Sequence, residues 1–127
     1  MKEQELFDWL KDNLLPDLER SPETYDGFDC ISQEKHLFIE LKSRNTHYDT
    51  LLLEKKKFDF LRQKSSDLRL LPTYINSTPN GIWQFNLSLI YPVWEEKWLP
   101  TTTEFANTSK KIKEVTFLST SEGIQLK

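Results

Sequence analysis

The sequence predicts a single α/β domain. Residues 3–15 carry apolar side chains at helical spacing, and residues 50–64 repeat that pattern after a polar loop. Residues 25–44 hold two apolar runs that meet at a short polar break, which is typical of a β-hairpin. Residues 82–91 alternate apolar and polar side chains with the period of a strand.

Length and composition agree with this class. A chain of 127 residues is long enough to bury one core, so we expect one domain over residues 1–127. Its 37% apolar and 29% charged residues indicate a soluble globular protein, and no segment approaches a membrane span. The N-terminus has no signal-peptide pattern, and the single cysteine, Cys30, excludes an internal disulfide. These features predict a cytoplasmic protein.

The second half of the chain predicts further strands. Residues 68–76 form a strand pattern interrupted by Pro72, which predicts an edge position or a bulge. A turn at residues 77–81 then joins it to the strand at 82–91 as a hairpin. Residues 110–118 indicate a last strand or short element, and residues 124–127 a frayed end.

An acid and a lysine interrupt the apolar strand that runs from residue 36 to residue 44. Because strand side chains alternate, Leu37, Ile39 and Leu41 face one way. Glu40 and Lys42 face the other way. Charges on a buried stretch of strand are costly unless they are paired or bind something.

The register of the hairpin at residues 25–44 decides which acid lies opposite Glu40. Symmetric pairing about residues 34–35 places Asp29 there and leaves Phe28 on an apolar face. A one-residue slip would instead place Asp26 opposite Lys42 and mix the two faces. Register is usually set by the face that is buried, which favours Asp29 over the alternative, Asp26.

Two carboxylates that face each other repel unless a cation lies between them. Oxygen ligands on a rigid strand pair suit Mg²⁺, which takes one or two carboxylates and keeps several waters. A lysine on the same face, Lys42, could then orient the attacking water or stabilise charge on a phosphate. The alternative is that Glu40 and Lys42 form a solvent-facing ion pair of little energetic consequence.

These residues resemble the signature of the PD-(D/E)xK nuclease superfamily, which has the restriction-endonuclease-like fold. Asp29 matches the first acid, Glu40 the second, Leu41 the x position and Lys42 the lysine. Phe28 stands where the signature has its proline.

The resemblance implies a core in the order αβββαβ, with a mixed sheet flanked by helices. It implies that Asp29, Glu40 and the Leu41 carbonyl hold Mg²⁺, for which Mn²⁺ can substitute, while Lys42 assists the attacking water. The expected activity is metal-dependent hydrolysis of phosphodiester bonds in DNA. A non-catalytic nucleic-acid-binding or assembly module with the same fold is the alternative. Action as a homodimer or as a subunit of a larger complex is also expected.

Members of the superfamily often add polar residues to this set. Glu3, on the first helix, is one candidate. Glu54 is a second, because with Phe58 it has the spacing of a Q-x-x-x-Y pattern on the second helix, although both residues differ from that pattern. Lys57 is a third. The alternative for each is an ordinary surface residue in a charge pair.

The net charge of −3 requires that any nucleic-acid surface be a local cluster of positive charge. Arg44 follows Lys42 on the same face of the strand, and Lys55 and Lys57 lie in the first turns of the second helix, so we expect these three residues to form the contact surface. Residues 110–113 hold three more lysines, which we expect to matter little. The tryptophans near residues 94–98 predict either a loop packed by its own rings or a platform for base stacking.

Overall fold

The computed structural model of the chain describes residues 1–23, 27–100 and 110–127. Two α-helices and nine strands are assigned in these ranges, with one-turn 3-10 helices at Leu87–Leu89 and Thr120–Glu122. In chain order the elements are α1 (Glu3–Asn13), β1 (Glu19–Arg20), β2 (Phe28–Ser32), β3 (Leu37–Ser43), β4 (Thr50–Glu54), α2 (Lys55–Leu68), β5 (Leu71–Thr78), β6 (Gly81–Asn86), β7 (Glu95–Pro100), β8 (Lys110–Ser119) and β9 (Ile124–Gln125).

Six of the strands form one mixed sheet in the order β1-β2-β3-β5-β6-β9. Strands β3 and β5 are parallel, and the other neighbours in this sheet are antiparallel. Helix α1 packs on one face, and α2 packs on the other together with a three-stranded sheet in the order β4-β8-β7. The predicted mixed sheet flanked by helices is confirmed.

The two faces of the main sheet bury different cores. On the α1 side, Leu6 and Leu10 pack against Cys30, Ile39 and Leu41. On the α2 side the core consists mainly of Phe38, Leu51, Leu53, Phe58, Leu61, Tyr74, Trp83 and Phe85. The predicted apolar face of the hairpin is confirmed, because its members all lie on the α1 side. Burial also raises the pKa of the Cys30 thiol, so this residue is an inert core side chain.

The predicted helix at 50–64 is wrong at both ends. Residues Thr50–Glu54 form a strand, and the helix begins at Lys55 and continues to Leu68. The strand forms because β8 pairs with it along its whole length, which buries Leu51 and Leu53 between that sheet and the main one. Local helix and strand propensities could not predict this pairing, because β8 lies about sixty residues further along the chain.

Strand β5 is central, so the edge position that Pro72 predicted is wrong. The backbone nitrogen of Leu71 donates to the His36 carbonyl at 2.7 Å, on the β3 side. Because successive N–H groups point to opposite sides of a strand, the Pro72 nitrogen faces β6. Pairing with β6 begins only at Thr73, so proline removes no ladder hydrogen bond here.

The predicted strand at 82–91 ends early. Its last paired residue is Asn86, whose side chain accepts a hydrogen bond from the Ser88 nitrogen at 3.0 Å and starts a 3-10 turn. Leu89 is consequently 73% exposed and does not share the buried face of Trp83.

The C-terminal elements extend both sheets. The strand predicted at 110–118 is present as β8, and the predicted frayed end is wrong because Ile124–Gln125 pairs with β6. Trp94 packs its ring 5.3 Å from that of Phe58, whereas Trp98 is 67% exposed on β7.

No helix among the described residues has both the length and the apolar character needed to cross a bilayer.

A buried carboxylate pair as the candidate active site

Asp29 and Glu40 face each other across the β2–β3 hairpin on the α2 side of the sheet. Their backbones are direct partners in the antiparallel register, which confirms the predicted pairing. Their relative exposures are 3% and 4%, so both carboxyl groups are removed from solvent. Asp26, the alternative first acid, lies outside the described residues.

Three of the four carboxyl oxygens of this pair have no hydrogen-bond partner within the described part of the chain. They are Oδ1 and Oδ2 of Asp29 and Oε2 of Glu40. The remaining oxygen, Glu40 Oε1, lies 3.3 Å from Lys57 Nζ, at the start of α2. Burial first, and then the Asp29 side chain, raise the pKa of Glu40 to about 9 despite the opposing effect of Lys57.

A pair of buried carboxyls with three oxygens unpartnered among the described residues fits a hard divalent cation. The oxygens are the ligand type that Mg²⁺ prefers, and one cation would relieve both the repulsion and the missing hydrogen bonds. Over residues 1–23, 27–100 and 110–127, no further acid, histidine or cysteine joins the pair in a group of three. Two carboxylates, one carbonyl and waters remain enough for Mg²⁺.

Leu41 could contribute only through its main chain. Its side chain is 1% exposed and belongs to the α1-side core, opposite the carboxylates. The predicted role of its carbonyl as a metal ligand therefore stays a prediction. Lys42 is half-buried on the carboxylate face, two residues beyond Glu40, in register with Asn76 of β5.

Lys57 is the lysine in ion-pair contact with Glu40. Its backbone lies in the first turn of α2, so the helix that covers this face delivers a cation directly to the acids. Two lysines therefore lie on this face of the sheet. Lys42 belongs to β3, the strand that carries Glu40, and Lys57 belongs to the covering helix α2. In contact with Glu40, Lys57 partly neutralises the pair when no cation is bound.

Arg44 makes structural hydrogen bonds to neighbouring strands, which its position in the sequence does not predict. Its guanidinium donates to Asn76 Oδ1 at 2.9 Å, to the Leu52 carbonyl at 2.7 Å and to the Tyr74 hydroxyl at 3.2 Å. These bonds tie β4 to β5 beside the candidate site. The predicted contact of Arg44 with nucleic acid stays a prediction, since several of its donors are already engaged.

Tyr74 and Asn76 are neighbours of the acids that the sequence analysis did not identify. They lie in register with Glu40 and Lys42, respectively, on the same face of the sheet. Burial raises the pKa of Tyr74 to about 12, so its hydroxyl stays protonated. The Nδ2 of Asn76 has no partner among the described residues, which leaves one buried donor on this face.

Gly27 lets the backbone pass close to Glu40 and Lys57, where a side chain would clash. Its φ of +103° lies where side chains are rarely tolerated. A Cβ there would stand 2.5 Å from Glu40 Oε1 and 3.0 Å from Lys57 Nζ. The sequence offered a signal, because Gly27 is one of three glycines and stands immediately before β2.

Gly27→Ala is therefore expected to weaken Mg²⁺ binding by roughly tenfold and to destabilise the fold by about 1 kcal/mol. The methyl group would displace the Glu40 carboxyl, and the backbone would be strained. Titration calorimetry with Mg²⁺ and urea unfolding measure the two effects. Gly123→Ala is a control for a crowded glycine away from the acids, since a Cβ there would stand 2.9 Å from the Phe85 ring. Equal Mg²⁺ affinity in both variants would contradict this account of Gly27.

The other proposed site residues are separated from the pair. Glu54 ends β4, and its Oε1 accepts from Lys113 Nζ at 2.7 Å, so it does not share a helix with Phe58 as predicted. Glu3 lies in the first turn of α1, the helix on the opposite face. Lys55 pairs with Asp59 at 2.7 Å within α2.

Comparison with known proteins yields a fold but no sequence relative. No protein-family model and no curated protein matches the sequence. The structure is similar to that of Hjc, a Holliday junction resolvase from the archaeal hyperthermophile Archaeoglobus fulgidus, with a TM-score of 0.58. The match covers 98% of this chain and 91% of the resolvase at 14% sequence identity. At this identity the likeness shows a shared fold, and it confirms the restriction-endonuclease-like fold that the sequence signature predicted.

Proposed function

We propose that this protein is a small Mg²⁺-dependent nuclease that hydrolyses phosphodiester bonds in DNA. The observation that carries the proposal is the buried Asp29–Glu40 pair: three of its four oxygens have no partner among the described residues, and burial beside Asp29 raises the pKa of Glu40 to about 9, so that ionising both carboxyls without a cation is unfavourable. Such an arrangement destabilises the fold, and one divalent cation would remove the cost. The resolvase of similar fold acts on a DNA junction, which supports DNA as the substrate.

Each residue of the site has a distinct task. Asp29 and Glu40 would hold the cation, with the Leu41 carbonyl completing the protein ligands. The bound Mg²⁺ would supply positive charge at the scissile phosphate and acidify water at neutral pH. Lys42, on the same face as Glu40, would position the attacking water and stabilise the charge that develops on the phosphate. Mn²⁺ has similar ligand preferences and would substitute.

Lys57 would keep its contact with Glu40 Oε1 when the site is loaded, because Glu40 Oε2 has no partner among the described residues and is free for the cation. Its ammonium group would then add positive charge beside the incoming phosphate. Glu3 and Glu54 take no part in the proposed mechanism.

The test is cleavage of labelled four-way junctions, duplex DNA and single-stranded DNA in Mg²⁺, Mn²⁺ or EDTA. We expect cleavage in both metals and none in EDTA. Binding of these substrates without cleavage in either metal would favour the alternative, a nucleic-acid-binding or assembly module. The Lys57–Glu40 ion pair favours that alternative, because it partly neutralises the site without a cation. Homodimer formation or membership of a larger complex stays a prediction.

Lys42→Ala should lower the cleavage rate by about two to three orders of magnitude while Mg²⁺ affinity changes little. The lysine acts on water and phosphate and is not a ligand of the ion. Single-turnover cleavage and calorimetric Mg²⁺ titration separate the two effects. Lys35→Ala, in the exposed β2–β3 turn, is the matched control and should cleave normally. A Lys42→Ala enzyme with wild-type cleavage would transfer the role to Lys57.

A further inference from the structure

A groove of about 760 Å³ separates the first turn of α2 from strand β8. Five lysines line it, three from α2 and two from β8, together with three acids and two apolar residues. They are Lys55, Lys56, Lys57, Lys111, Lys113, Glu54, Asp59, Glu114, Phe60 and Ile112. Small-molecule pockets of this size are mostly apolar, so this lining favours an extended polyanion.

The lysines of the groove are not fully neutralised by its acids. Lys113 pairs with Glu54 and Lys55 with Asp59, each at 2.7 Å. Lys56 and Lys111 are exposed, and neither makes an ion pair within the described parts of the chain. Two exposed lysines, one on α2 and one on β8, therefore border the groove from opposite sides.

The start of α2 adds positive potential of its own. Its first turn holds three lysines and no acid, and Glu54 at the N-cap makes no side-chain cap hydrogen bond. The helix dipole favours acids at this end, so lysines here are placed against it. Uncapped amides and ammonium groups together make a surface that an anion would stabilise.

Lys57 connects the groove with the carboxylate pair. Lys57 lines the groove, and its Nζ lies 3.3 Å from Glu40 Oε1. An anion that follows the lysines from β8 towards α2 would thus arrive beside the acids.

We propose that the α2–β8 groove holds the phosphate backbone of the DNA that the carboxylate pair cleaves. The inference rests on the proposed nuclease function and adds a second binding element to it. It changes the expected contact surface: residues 110–113 were expected to matter little, yet Lys111 and Lys113 border the same groove as Lys55 and Lys57. The three-stranded sheet β4-β8-β7 then serves as one wall of the binding surface.

The experiment measures binding of labelled duplex DNA by fluorescence anisotropy in EDTA, where cleavage is prevented, over a range of salt concentrations. The test variant is Lys56→Gln with Lys111→Gln. The matched control is Lys2→Gln with Lys35→Gln, two exposed lysines outside the groove, which changes the net charge equally. Loss of two phosphate contacts should reduce the slope of log K against log salt by about two and weaken binding roughly tenfold to a hundredfold at about 0.1 M salt.

Equal loss in the control would show a general charge effect and overturn the inference. Unchanged binding in the test variant, or weakened binding of RNA but not of DNA, would overturn it as well. Absence of any DNA binding by the wild-type protein would do the same.

Cleavage in Mg²⁺ distinguishes this inference from the proposed function. With both correct, the test variant cleaves at the wild-type rate when DNA is saturating and has a raised KM. A wild-type protein that binds DNA through the groove but never cleaves it would refute the nuclease and leave the groove assignment standing. A protein that cleaves while the test variant binds normally would refute only the groove.

Discussion

Asp29→Asn should strongly reduce DNA cleavage and at the same time stabilise the fold in EDTA. Both oxygens of Asp29 are buried without a partner among the described residues, and Glu40 avoids repulsion from the Asp29 carboxylate only by holding a proton with a pKa raised to about 9. An asparagine removes the charge and can donate a hydrogen bond to Glu40 Oε2. We expect the free energy of unfolding to rise by about 1–3 kcal/mol, the usual cost of an unsatisfied buried polar group. Cleavage should fall by about three orders of magnitude, because a metal ligand is lost.

Asp17→Asn is the matched control for the first prediction, because Asp17 is a partnered aspartate near the same hairpin. Its carboxylate accepts from the Ser32 hydroxyl at 2.7 Å and from the Glu34 nitrogen at 2.9 Å. These bonds lower the pKa of Asp17, so its ionised form is favoured by the fold. The same substitution there should lower stability and leave cleavage intact. Urea unfolding in EDTA measures both variants, and a destabilised Asp29→Asn would contradict a strained carboxylate pair.

Functional sites often keep unfavourable electrostatic interactions because the activity needs them. A substitution that removes such an interaction is therefore expected to raise the stability of the fold and to lower the activity. The Asp29–Glu40 pair breaks the rule that buried charges are paired or hydrogen-bonded. That violation is visible in the sequence as an acid set into an apolar strand, which is why the candidate site could be found without a structure.

The hairpin register was predictable because only one pairing keeps its apolar residues together. Placing Asp29 opposite Glu40 gathers Phe28, Cys30 and Ile39 on the α1 side, and the structure has this arrangement. Local alternation was sufficient here because both strands and their turn lie within twenty residues. The mixed sheet flanked by helices followed from the same patterns and from the signature residues.

The second sheet was not predictable, because its strands are distant in the chain. Residues Thr50–Glu54 contain three successive leucines, and a short apolar run of this kind fits a helix or a strand equally well. Only pairing with β8 decides between them. The groove was missed for the same reason: Lys56 and Lys111 are opposed across it, although the chain separates them by more than fifty residues.

Without a divalent cation, the stability of the protein should fall as the pH rises towards 9. Burial and the neighbouring Asp29 raise the pKa of Glu40 from its ordinary value of 4.5 to about 9 in the folded protein. The folded state therefore binds a proton that the unfolded state has already released. This contribution to stability is fully present below the unfolded pKa and is lost as the pH rises through the folded pKa.

A single group of this kind changes the free energy of unfolding by at most about 1.4 kcal/mol per pH unit. Urea unfolding in EDTA between about pH 6 and pH 8 should show a decline that approaches this slope. Glu40→Gln, which cannot ionise, should remove the decline. Because a metal ligand must be deprotonated, saturating Mg²⁺ should also cancel it, and binding at neutral pH should release a proton that calorimetry in buffers of different ionisation enthalpy can detect. Stability that rises with pH in EDTA, or Mg²⁺ binding without proton release, would mean that Glu40 is ionised in the free protein and that Lys57 neutralises it fully.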